Sequence, residues 1–211
     1  MPVFAIKNIS EKLKIGIWHI TETPTDIASA LILTKYDLDL FSEFTNDKRK
    51  TEWLATRVLA NELANENVLI RYDENRKPFI ENSKNKISIS HSRDFVAVAL
   101  HSDSETGIDI EEIHPKIERI ATKFMSSAEL SMLPRDNFIE PMLVHWCAKE
   151  ALYKLYGNKN LVFAEHLIIQ PFKYNPKKGK LKASICKGEF NQEFILEYEK
   201  INNYLMAYVL H

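Results

Sequence analysis

Apolar and polar residues alternate with a period of two over residues 3–9 and 14–20, so the chain is expected to open with two strands. Thr23 and Pro24 then suit the cap and first position of a helix, with Asp26 in its first turn and Ile27, Leu31 and Leu38 continuing an apolar stripe. Residues 41–67 carry the longest helical pattern of the first half, with Trp53, Leu54, Val58, Leu59 and Leu63 on its core face. A short strand is expected over 68–72, and Pro78 closes a turn over 73–78. Residues 86–100 alternate at first and end in a nearly continuous apolar run from Phe95, the pattern of a buried strand. Ser90, His91 and Ser92 therefore sit at a strand end, where site residues commonly collect.

The second half repeats the style. Residues 106–111 alternate as a strand, 117–124 read as helical, and Ser126 with Glu129 has capping-box spacing ahead of a stop at Pro134. A second long helix is expected over 138–156, with Pro141 in its first turn and Gly157 as its stop. Strands follow at 167–170, 181–185, 190–198 and 204–210, separated by turns of which Pro176-Lys177-Lys178-Gly179 is the clearest. Trp53-x-Ala55-x-x-x-Leu59 on the first long helix matches Trp146-x-Ala148-x-x-x-Leu152 on the second, which suggests two related halves. In that register Arg57 stands where Glu150 stands, so one site would draw acids from the second half and cations from the first. The fold class expected is α+β, with an N-terminal half over 1–100 and a C-terminal half over 101–211.

Composition narrows the function classes. In 211 residues the apolar share is 45% and the net charge −1, an ordinary globular balance that argues against a nucleic-acid or membrane-surface protein. No apolar run reaches the roughly 18 residues of a membrane span, the N-terminus lacks a signal-peptide pattern, and two cysteines make no disulfide framework. The expectation is a cytoplasmic monomer with free thiols.

Candidate chemistry starts from Thr106-Gly107-Ile108-Asp109-Ile110-Glu111. In a strand, Ile108 and Ile110 share one face while Asp109 and Glu111 share the other, roughly 6–7 Å apart at their Cα atoms. If the isoleucines face a core, the carboxylates repel unless a cation lies between them, and an all-oxygen set suits Mg²⁺, Mn²⁺ or Ca²⁺ better than zinc. The plain alternative is a solvated strand edge carrying acids for solubility. Lys48-Arg49-Lys50 with Arg57 is equally a solvated helix face unless an anion site lies nearby, and Glu150 with Lys154 is equally an exposed ion pair.

Three motifs occur in order: Ile89-Ser90-His91-Ser92, Gly107-Ile108-Asp109-Ile110-Glu111, and Trp146-Cys147-Ala148-Lys149-Glu150-Ala151. Together they resemble the 4′-phosphopantetheinyl transferases of the surfactin-synthetase type, single chains of two pseudo-symmetric α+β halves packed together. The resemblance extends over about residues 48–157. It implies transfer of the phosphopantetheine arm of coenzyme A onto a serine of an apo acyl or peptidyl carrier protein, leaving adenosine 3′,5′-bisphosphate. It also implies that Asp109, Glu111 and Glu150 hold Mg²⁺ (or Mn²⁺) on the pyrophosphate, that Lys149 and Lys154 balance the remaining charge, and that Glu150 or a metal-bound water is the base. Ser90, His91 and Arg49, with Arg57 as an alternative, match positions near the 3′-phosphate. Lys77-Pro78-Phe79 matches the stretch beside the adenine, with Arg76 where the family has glycine. A non-catalytic carrier- or nucleotide-binding module of the same fold is the main competing reading, ahead of a Mg²⁺ phosphohydrolase.

Overall fold

The computed structural model describes residues 3–210, so residues 1–2 and 211, the outer ends of the two expected halves, lie outside the described residues. The chain is α+β and divides into two compact units. One runs through Tyr72 and resumes over Pro78–Ser104; the other comprises Asp73–Lys77 and everything from Glu105 onward.

In the first unit, β1 (Val3–Asn8), β2 (Leu13–His19), β5 (Lys86–Ser92) and β6 (Phe95–His101) form an antiparallel sheet in the order β1-β2-β6-β5. All seven residues of β6 are buried, as its unbroken apolar run requires. Helix α3 (Asp47–Ala64) lies on β2 and β6, capped by the Asn46 side chain at one end and by Asn65 in the left-handed region at the other. The single helix expected from Thr23 to Leu38 is two short ones. Thr34 with Asp37 forms a second capping box, which starts α2 (Lys35–Ser42) after α1 (Pro24–Ala28) has ended and leaves Leu38 exposed. The expected strand after residue 68 is β3 (Ile70–Tyr72), which pairs with β4 (Pro78–Ile80), a strand too short to show in the sequence pattern.

The second unit orders its five antiparallel strands β7-β11-β10-β9-β8, with β7 (Ile108–Glu112) at one edge, β8 (Leu167–Ile169) at the other, and β9 (Lys178–Lys187), β10 (Phe190–Ile201) and β11 (Tyr204–Leu210) between. Helix α6 (Ile139–Tyr156) packs on β7 and β11 and is ended by Gly157 in the left-handed region. The helical expectation over 117–124 is a 3₁₀ segment Pro115–Ile120 followed by α4 (Ala121–Phe124), and the Ser126 capping box starts α5 (Ser127–Ser131). A one-turn helix, α7 (Phe163–His166), precedes β8 where strand pattern alone was expected. Among the described residues no helix is long and apolar enough to cross a membrane.

Candidate functional site

Strand β7 alternates as its sequence requires, but the face that carries Asp109 is the covered one. Across the ladder Asp109 pairs with Ala207 and Glu111 with Leu205, both members of the core beneath α6. Ile108 and Ile110, on the opposite face, are also fully buried. A solvated edge does not describe this strand, since Asp109 is only 4% exposed.

Gly107 explains how the helix comes so close. A Cβ at that position would stand 1.9 Å from the carbonyl oxygen of Ala151, in the middle of α6. A backbone atom there cannot swing aside as a side-chain tip would. Gly107→Ala is therefore expected to cost about 3 kcal/mol by overpacking, readable as a lowered urea midpoint at unchanged slope.

At this crossing α6 delivers two charged side chains. Lys154 donates from Nζ to Asp109 Oδ1 at 2.7 Å and to the Ile108 carbonyl at 3.1 Å. Glu150 has its carboxyl pushed up to about 7, first by burial and then by the negative charge of Asp109, with Glu111 adding to it and Lys154 opposing. The strand acids and Glu150 thus feel one another strongly. Among the described residues no three His, Cys, Asp or Glu side chains already stand as a ready metal site. The donor chemistry nevertheless fits a hard divalent cation: three carboxylates, no soft ligand, and an electrostatic deficit at Glu150 that added positive charge relieves. The neighbouring Cys147 thiol is fully buried, and burial together with Asp109 and Glu111 raises its pKa well above the usual value, so it stays protonated.

Lys149 does not behave as the resemblance implies. Its side chain is 0% exposed, and Nζ donates to Glu129 Oε2 at 2.7 Å, the Phe124 carbonyl at 2.6 Å and the Phe163 carbonyl at 3.2 Å. An ammonium has three N–H donors, and all three are used, so none is left for a ligand. Glu129, in turn, accepts from the backbone of Ser126 and of Ile169. Its capping role was legible from spacing, whereas its pairing with a lysine twenty residues away was not.

Lys77 groups with the second unit, where Nζ lies 2.6 Å from Glu105 Oε2 and donates to the Leu155 carbonyl at 2.9 Å, satisfying the open C-terminal end of α6. Arg76 adopts a positive φ of 66°, so the turn takes the left-handed conformation without glycine.

In the first unit, Arg49 on α3 donates to His91 Nε2 at 2.9 Å, which leaves the imidazole proton on Nδ1, 3.5 Å from Glu52 Oε2. Lys48 and Arg49 also approach Glu52, at 3.8 and 3.6 Å. Glu52 is a buried carboxylate under this cationic corner that sequence reading passed over; the i,i+3 and i,i+4 spacing to Arg49 and Lys48 was its only signal. Ser90, on β5, is buried. Arg57 does not join the corner, because it is buried, ion-paired to Asp37 at 3.0 Å and stacked 3.2 Å from the Trp53 ring centroid.

Residues 105–209, the stretch that holds the carboxylates, Lys154 and all of α6, match the 4′-phosphopantetheinyl transferase superfamily. Over that stretch the chain belongs to this superfamily. The chain is 30% identical over 115 residues to the 4′-phosphopantetheinyl transferase AcpT of Escherichia coli O157:H7, a match that covers 52% of this chain and 59% of the relative. It is 33% identical over 98 residues to the 4′-phosphopantetheinyl transferase gsp of Aneurinibacillus migulanus, covering 45% of this chain and 40% of the relative. The chain thus spans less than two thirds of the length of the curated relatives it matches.

Proposed function

We propose that this protein transfers the 4′-phosphopantetheine group of coenzyme A to a serine of an apo carrier protein, in a Mg²⁺-dependent reaction. The observation that carries the reading is the meeting of Asp109 with Glu150 and Lys154 inside the superfamily stretch. Asp109, Glu111 and Glu150 would hold the cation, which supplies charge neutralisation on the pyrophosphate oxygens. Lys154, already beside Asp109, would balance the charge on the leaving phosphate. Glu150 would take the serine proton as the new O–P bond forms. The pyrophosphate P–O bond breaks, and adenosine 3′,5′-bisphosphate departs. Arg49, His91 and Ser90 would receive the 3′-phosphate, and Lys77 the adenine side. We read the protein as a cytoplasmic monomer whose two units are pseudo-symmetric halves.

The test is a mass assay with coenzyme A, Mg²⁺ and apo carriers of the fatty-acid, polyketide and peptide-synthetase types. One carrier is expected to gain the phosphopantetheine mass, chelation of Mg²⁺ to stop the gain, and added Mg²⁺ or Mn²⁺ to restore it. Absence of any gain across the whole panel would overturn the reading.

A further inference from the structure

A cavity of about 860 Å³ opens in the second unit at the N-terminal end of α6. Ile113, Leu133, Ile139, Pro141 and Phe172 make its wall largely apolar. Its volume lies within the range of small-molecule sites. Two polar groups decide what such a wall would accept. Glu140 is already satisfied, since it accepts from Tyr174 and from Lys200 Nζ at 2.7 Å, and the lysine cancels its charge. His145 is 6% exposed, its ring tilted against Phe172 with centroids 5.4 Å apart, and its Nδ1 donates to the Pro141 carbonyl at 2.9 Å. Because a carbonyl oxygen can only accept, the proton is on Nδ1 and Nε2 carries the lone pair. Burial holds the imidazole below its usual pKa; of the charged groups around it, Glu129 opposes that shift and Lys149 adds to it. Of the other polar lining residues, Asp136 and Asn137 are exposed, Gln170 donates to Glu193 and Tyr174 donates to Glu140, so the buried polar side chain with an acceptor to offer is His145.

The geometry points to a second ligand site, for a neutral, mainly apolar small molecule that donates one N–H or O–H hydrogen bond to His145 Nε2. This inference needs neither coenzyme A nor a metal, so it stands or falls apart from the proposed transfer activity. The probes are indole, an apolar ring with one N–H, and 1-methylindole, which lacks that donor. Each is titrated into the 211-residue chain while the His145 ring nitrogens are followed by long-range ¹H–¹⁵N correlation. Indole is expected to bind saturably and to shift Nε2, and 1-methylindole to bind about fivefold more weakly, the worth of one hydrogen bond. His145→Phe, with binding followed by calorimetry because the ring reporter is gone, is expected to make the two probes bind alike. No saturable shift with indole, or equal binding of both probes to the unaltered protein, would each overturn the proposal. The probe pair decides on the unaltered protein alone, so it holds where a variant fails to fold.

Discussion

Replacing Lys149 by methionine is expected to destabilise the second unit by about 3–5 kcal/mol, the cost of stripping one partner from a buried ion pair. Methionine keeps the length and the apolar stem. What goes is the ammonium that ties Glu129, Phe124 and Phe163 together, and Glu129 is left as a buried anion with only the Ser126 and Ile169 amides for company. Adding Glu129→Gln to Lys149→Met should recover part of the loss, because the stranded charge goes with it. Urea unfolding followed by circular dichroism measures all three proteins. A Lys149→Met variant as stable as the unaltered protein would refute the structural role. The same variant separates that role from ligand binding: the fraction that remains folded should keep its apparent KM for coenzyme A, which a direct phosphate contact would raise.

Glu150→Gln is expected to have two opposite effects. Transfer should fall by about 100–10,000-fold, the usual worth of a general base. The metal-free protein, however, should become more stable at alkaline pH. Burial and the charge of Asp109 raise the Glu150 carboxyl to about 7 in the folded protein, from 4.5 for the unperturbed group. Below pH 4.5 both the folded and unfolded states hold the proton, and Glu150 costs nothing. As pH rises from 4.5 towards 7 the unfolded chain gives the proton up while the folded protein still holds it, so stability is lost across that window, and the loss is complete above pH 7. Glutamine cannot ionise and removes that slope. Melting temperatures of the two proteins, measured at pH 5 and at pH 8 in chelator, should converge at the acid end and separate at the alkaline end, with Mg²⁺ closing the gap for the unaltered protein alone. Parallel curves at both pH values would show that Glu150 is not strained by its neighbours.

Both variants sit on one helical turn of α6, and they mark the limit of what the sequence could reveal. Local signals were readable: the apolar run of β6, the Ser126–Glu129 box, the Gly157 stop and the alternation of β7 all follow from rules that reach only a few residues along the chain. The Thr34–Asp37 box is masked in the sequence by the apolar stripe that continues from Ile27, and capping chemistry wins locally over periodicity. Lys149 and Glu150 show the harder case. They are adjacent in a motif of charged residues, and nothing in their spacing tells that one would be buried against Glu129 while the other would face Asp109. That difference is set by rotation about the helix axis, about 100° per residue, and by tertiary partners twenty and forty residues away in sequence. Arg57 was ambiguous for the same reason, until Asp37 and Trp53 enclosed it.

The contact between Gly107 and the Ala151 carbonyl leaves no slack between the start of β7 and the middle of α6. The backbones that carry the strand and helix carboxylates are consequently tied together at this point. In the proposed transfer, any hinge lies outside this contact, and the backbone spacing between strand and helix is held.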